Sequence, residues 1–304
     1  MPSDLQTGEA AAAATAVVVP EVAEPAPIGS FAHARRHLWA TLKYLTETEV
    51  HTYAFSVAAN AILSFFPAIV LLLTLTRRVF HSETMYSVVL QMMRDYLPSN
   101  QDFVIRNMQA LEAKHNVQIF SVVMLVVSST GIFLPLEVAL NKVWGLRKNR
   151  SYIGNQTISL VLALACGVLA VASIGLAAAN QAVVARIIGD QNILFRTVAY
   201  TSMKVFAMLA SIGIFFLIFW VLPNGKVPAR SVMPAAVITG VVFELAKYLY
   251  IAALPWLDFH EVYGPFSVSV TLMFWAFLAG LLLLGGAHLS AAEHVEAHVE
   301  ARQN

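Results

Sequence analysis

The chain has 304 residues, of which 58% are hydrophobic and only 12% charged, against about 25% charged in an ordinary soluble domain. That balance argues against a soluble domain and for a membrane protein, and a net charge of +1 removes any global electrostatic case for a nucleic-acid partner. The single cysteine, Cys166, rules out an intrachain disulfide and, lying inside an apolar run, suits a small core residue.

Residues 1–30 are rich in Ala, Val, Pro and Glu, with Asp4 and Glu9 where a secretory signal wants a positive start. A disordered tail without a cleavable signal is expected. From Phe31 the pattern changes: Phe31, Leu38, Leu42 and Leu45 share a helical face while Arg35, Arg36 and Lys43 lie elsewhere around it. Residues 31–50 therefore read as a basic amphipathic helix, either interfacial or packed on the body of the protein, since both share this signature.

Six membrane spans are predicted, at about 53–76, 117–143, 157–179, 200–222, 231–254 and 266–289, because each is apolar over roughly 20 residues. The fold class is thus all-α, a six-helix polytopic bundle. Pro67 in the first span predicts a kink, and Asn60 is expected to face protein. The 77–116 segment is too polar to span. Met85, Val88, Met92 and Tyr96 recur at helical spacing, Pro98 breaks the run, and Ser99 with Asp102 forms a candidate capping box for a second helix bearing Phe103, Val104, Met108 and Leu111. This predicts an extracytoplasmic helical hairpin, either a lid over a cavity or a structural cap.

The third span carries a stripe of Ala163, Gly167, Gly175 and Ala179, and the sixth carries Ala276 and Gly280, spacings that let another helix come close. Pro223-Asn224-Gly225 predicts a short turn that makes the fourth and fifth spans antiparallel neighbours, with Ser231 a candidate N-cap. A polar tail follows from residue 293. With six spans both termini share a side. Ten Lys and Arg fall on that side against seven on the other, five of those seven in the long, acid-bearing 77–116 segment, which predicts cytoplasmic termini. Arg77 and Arg78 run against the rule and suggest interfacial anchoring or an anion-attracting patch.

Catalytic constellations are mostly missing. His294 and His298 share a face at i, i+4, but the acid in HVEAH falls at the wrong position for a zinc motif, and two ligands are too few. There is no phosphate loop, no nucleophile elbow and no metal-holding cluster of the kind a nuclease needs. No enzyme activity, metal or cofactor is expected. The residues that stand out are Glu244 and Lys247, two charges three residues apart in the middle of the fifth span. Each costs about 2.5–3.5 kcal/mol at mid-span, so the two should pair and face the bundle interior or a wet cavity. Gly240, one turn before, would let a neighbouring helix approach. Glu137, near the end of the second span, can reach the interface or an Arg. The cluster Lys142, Arg147, Lys148 and Arg150 is a topology signal and a candidate contact for anionic lipid headgroups.

The segments SFFPAIVLLLTL, SSTGIFLPLEVALNKVWGLRKNR, LPNGKVPARSVMPAAVITGVVFELAKYLY and VYGPFSVSVTLMFWAFLAGLLLLGGAHLSAA together resemble, in order, the bacterial YihY/BrkB family of inner-membrane proteins over about residues 31–293. The ALNKVWG helix end with its basic loop is the most specific part, supported by the E-x-x-K of the fifth span. Where the family commonly has aromatic residues ahead of the SFFP turn, this chain has Ala59, Asn60 and Ala61. The resemblance implies six spans and an inner-membrane location. Family members have been labelled virulence or serum-resistance factors and, in older usage, ribonuclease BN; the residues here supply nothing for a nuclease.

Two functions from different classes follow. In one, the chain is an envelope transporter or lipid-handling protein with a polar route between the first, second and fifth spans. Glu244 and Lys247 would be central to that route, with Asn60 and Glu137 lining it. In the other, it is an envelope scaffold whose buried polar groups only fix helix packing. The expected partner is the lipid bilayer, with anionic headgroups, and no nucleic acid; the sequence leaves room for a homo-oligomer.

Overall fold

In the computed structural model the described residues are 30–96, 101–112, 115–146, 150–188 and 193–303. Residues 1–29 of the predicted N-terminal tail, Pro98, Ser99, Arg147 and Lys148 lie outside them. The chain divides into two compact units, residues 1–36 and 37–304. The described part of the first is the opening of helix α1 (Ser30–Leu45); all six spans belong to the second.

Among the described residues the structure is helical throughout, with no strand. After α1 come α2 (Thr48–Thr74), α3 (Glu83–Tyr96), α4 (Gln101–Glu112), α5 (His115–Val143), α6 (Tyr152–Ile188), α7 (Ile193–Val221), α8 (Ala229–Leu257), the short α9 (Phe259–Tyr263) and α10 (Ser267–Gln303). Six of these, α2, α5, α6, α7, α8 and α10, are long and apolar enough to cross a membrane. Backbone polar groups in hydrocarbon must be satisfied within the segment, so apolar runs of this length settle as helices. Each predicted span falls on one of them. α6 outruns its prediction at both ends and α10 continues as helix through the polar tail. The first span continues through Pro67 and closes in a π-helical turn, Leu75–Val79.

The bundle is built by α2 packing on α5 and α10, α6 on α7, α7 on α8, and α8 on α10. Two apolar cores result. One joins Leu136 and Leu140 of α5, Phe219 of α7 and Leu222 just past its end, Val232 and Ala236 of α8, and Leu284 of α10. The other joins Val70 and Leu73 of α2, Val88 and Met93 of α3, Ile105 and Met108 of α4, Ile174 of α6 and Met203 of α7. The two helices between the first and second spans are therefore packed into the body, with Met85 and Val88 buried inward as their spacing predicted. Leucines such as Leu164, Leu245 and Leu249 are about two-thirds exposed, as the lipid-facing surface of a membrane bundle should be.

Glycines set the closest crossings. A Cβ added at Gly240 of α8 would sit 3.1 Å from the Cα of Ile212 in α7, and one at Gly280 of α10 would sit 3.3 Å from the Cα of Ala54 in α2. The α6 stripe behaves differently: Gly167 has nothing within 4 Å, and Gly175 meets only the end of the Met85 side chain at 3.8 Å. Among the described residues neither glycine meets the backbone of another helix within 4 Å. α8 begins at Ala229 with Pro228, whose backbone is extended, in the cap position, so Ser231 lies inside the helix rather than capping it.

On α1, Leu38 and Leu42 of the predicted apolar face are exposed, as is Trp39. The helix is held by its other residues: Tyr44 stacks on His288 at 4.6 Å and the Thr41 hydroxyl bonds His288 Nδ1 at 3.1 Å. Burial and the nearby carboxylates Glu47 and Glu49 raise the Tyr44 phenol above its ordinary pKa.

Candidate intramembrane site

α8 places Glu244 and Lys247 on one face because three residues advance a helix by nearly a full turn. Lys247 donates to Glu244 Oε2 in a salt bridge, and both side chains are nearly buried. From α7, Ser211 Oγ donates to Glu244 Oε1 at 3.0 Å. That contact exists because Gly240 lets α7 close on α8 one turn away. The Lys247 ammonium also lies 5.1 Å from the centre of the Tyr248 ring, within cation–π range.

This pair looks into a cavity of about 410 Å³, within the roughly 300–1,000 Å³ of small-molecule sites. α2, α3, α6, α7, α8 and α10 all contribute to its wall. Phe65, Met92, Ile174, Phe243 and Trp275 make most of it apolar, and Ser173, Ser211, Glu244, Lys247 and Thr271 supply the polar groups. The aromatic side of the wall is braced: Trp275 lies 5.4 Å from Phe243 and stacks at 5.2 Å on Tyr250, whose hydroxyl donates to the Thr271 carbonyl at 2.8 Å. The wall is thus apolar over most of its extent and charged at one place.

The other predicted residues lie elsewhere. No α5 residue lines the cavity. Asn60 donates to the Ser56 carbonyl at 2.9 Å and fills the space beside Gly131 of α5, where an added Cβ would fall 1.9 Å from its Oδ1; it is a packing contact between α2 and α5. Glu137 is 1% exposed. Its Oε1 is 3.7 Å from the Arg150 guanidinium and accepts the Arg150 backbone N–H at 3.4 Å, while Oε2 is buried without a hydrogen-bond partner among the described residues. Arg150 in turn donates to the carbonyls of Leu222, Val221 and Pro223 at 2.7, 3.3 and 3.0 Å. Those carbonyls are orphaned by the end of α7 and carry its negative dipole end. Arg150 is therefore a helix-end clamp, not a free headgroup contact. Lys142 pairs with Glu49 of α2 on the surface. Arg77, which ran against the charge rule, lies 3.7 Å from buried Glu112 and 5.3 Å from the centre of the Tyr86 ring.

Sequence reasoning missed Ser211, Trp275 and the pair Asn141–Asn224, in which the Asn224 N–H donates to Asn141 Oδ1 at 2.7 Å. Ser211 carried a usable signal, being a polar residue mid-span in α7. Among the described residues no group of three His, Cys, Asp or Glu could hold a metal ion; the His294 and His298 side chains lie outside the described ones.

Comparison with known proteins places the chain. The family profile described as "Virulence factor BrkB" matches residues 41–304. The UPF0761 membrane protein of Acinetobacter baylyi is 26% identical over 60% of this chain and 43% of its own length. That of Alcanivorax borkumensis is 26% identical over 65% and 46%, and that of Chlorobium chlorochromatii 26% over 57% and 39%. The matches thus span less than half the length of these curated relatives. No solved structure matches. With its six spanning helices, the chain is a multi-pass membrane protein and belongs to the BrkB family.

Proposed function

We propose that this protein is a transporter or lipid-handling protein of the bacterial inner membrane, binding an amphiphile in the cavity beside Glu244 and Lys247. One observation carries the reading: a salt bridge placed on the wall of an otherwise apolar cavity within the spans. An ion pair held only for stability gains little there, since well-packed apolar residues serve as well or better, and intramembrane charges mark substrate routes by default. On this reading both termini are cytoplasmic, from the distribution of Lys and Arg. Lys142, Arg147 and Lys148 then meet anionic headgroups, and the protein performs no covalent chemistry and uses no cofactor.

Reconstituted vesicles carrying a fluorescent phospholipid in both leaflets test it. External dithionite should bleach well beyond the outer half with wild-type protein and less with Ala210→Trp, which fills the cavity, or Glu244→Gln. Bleaching that stops at half for wild type, as in empty vesicles, contradicts the transport reading. The scaffold reading draws on a different observation, that Glu244 is already satisfied by Lys247 and Ser211. It predicts that half-bleaching plateau together with a Glu244→Gln, Lys247→Met double variant that folds and behaves as wild type.

A further inference from the structure

The order of groups along the cavity wall says more than its size. Within α8 the lining residues run Phe243, Glu244, Lys247, Tyr250, Ile251, so a carboxylate with an aromatic neighbour comes first, an ammonium follows, and apolar surface comes after. The backbones of Glu244 and Lys247 are about 4.5 Å apart in helix rise and the ammonium contacts Glu244 Oε2, so the two charges sit side by side on the wall. Ser211 fixes Glu244 Oε1 from α7, so the carboxylate stays in place whatever Lys247 does. Trp275 spans from Phe243 at 5.4 Å to Tyr250 at 5.2 Å, so ring faces, which attract cations, run along the wall beside the ion pair. Leu72, Met92 and Leu272 make aliphatic wall.

A ligand complementary to this sequence carries a cationic end, then an anionic group, then an alkyl chain. The free anion or free cation alone would satisfy one wall charge and oppose the other. We propose, resting on the amphiphile reading above, that the site selects zwitterionic amphiphiles. The ammonium is received between Glu244 and the Phe243–Trp275 rings, the phosphate is received by Lys247, and the chain lies against the aliphatic wall. Binding exchanges the internal Lys247–Glu244 salt bridge for two intermolecular ones, so charge stays balanced within the spans before and after.

Four amphiphiles with one twelve-carbon chain separate head from tail: lauroyl-lysophosphatidylethanolamine (zwitterionic), laurate (anionic), dodecylamine (cationic) and monolaurin (neutral). Their affinities for the purified, folded full chain are read by native mass spectrometry. The zwitterion should bind tightest, roughly tenfold over monolaurin, the effect of one or two charge-assisted hydrogen bonds. Glu244→Gln and Lys247→Met should each remove most of that preference, bringing the zwitterion close to monolaurin measured on the same variant. Should Glu244→Gln not fold, Ser211→Ala keeps both charges and should narrow the preference by loosening the carboxylate. Laurate or dodecylamine binding as tightly as the zwitterion, or a preference untouched by these variants, overturns the proposal while leaving the amphiphile reading in place. If none of the four binds, or Ala210→Trp binds all four like wild type, both fail.

Discussion

Two acid–base pairs among the described residues, Glu137–Arg150 and Glu244–Lys247, differ in what surrounds them. Glu137 and Arg150 are enclosed by backbone: the guanidinium is spent on three carbonyls at the end of α7, and Asn141, one turn beyond Glu137 on α5, holds the following turn through Asn224. Glu244 and Lys247 hold each other, with the Ser211 hydroxyl on the carboxylate, and both line the cavity. The same chemistry is a clamp in the first place and a wall of a binding site in the second. What decides between them is the neighbouring helices, not the charges.

The largest effect should follow from breaking the clamp. Arg150→Met takes the cation from a fully buried carboxylate and the donors from three carbonyls, and should cost about 3–5 kcal/mol, read as loss of the folded fraction or a sharply lowered Tm in detergent. Glu244→Gln should cost less, about 1–3 kcal/mol, because Gln keeps an amide oxygen that can accept from the Lys247 ammonium and the Ser211 hydroxyl. Adding Lys247→Met should recover much of that loss; a double variant less stable than either single one would make the second pair a clamp as well. Asn141→Ala removes one side-chain acceptor from the Asn224 N–H and should cost about 1 kcal/mol, measured in the same melts. Lys142→Ala serves as the control. Its pair with Glu49 is solvent-exposed, and exposed pairs contribute little, so Tm should not move measurably.

The spans were legible because apolar length alone dictates them, and the Glu244–Lys247 face because helical spacing is local. α6 was under-read since Tyr152, Asn155 and Gln156 at its start and Arg186 near its end lower the hydropathy without breaking the helix. The cavity was not legible: it needs six helices to converge, and nothing in α8 names α3 or α10 as neighbours. Glu137 and Asn60 were grouped with Glu244 because all are polar residues in spans. Depth and partner separate them, and those are tertiary facts. Gly167 and Gly175 misled for the same reason, since a small-residue stripe permits close packing without supplying the helix that packs.

The central claim is that the cavity beside Glu244 and Lys247 is an occupied amphiphile site. Native mass spectrometry of protein purified under mild detergent measures it directly, comparing wild type, Ala210→Trp inside the cavity and Leu249→Trp on the 70% exposed outer face of α8. The account predicts a retained amphiphile on wild type and Leu249→Trp, lost from Ala210→Trp. Equal retention by all three proteins would contradict it.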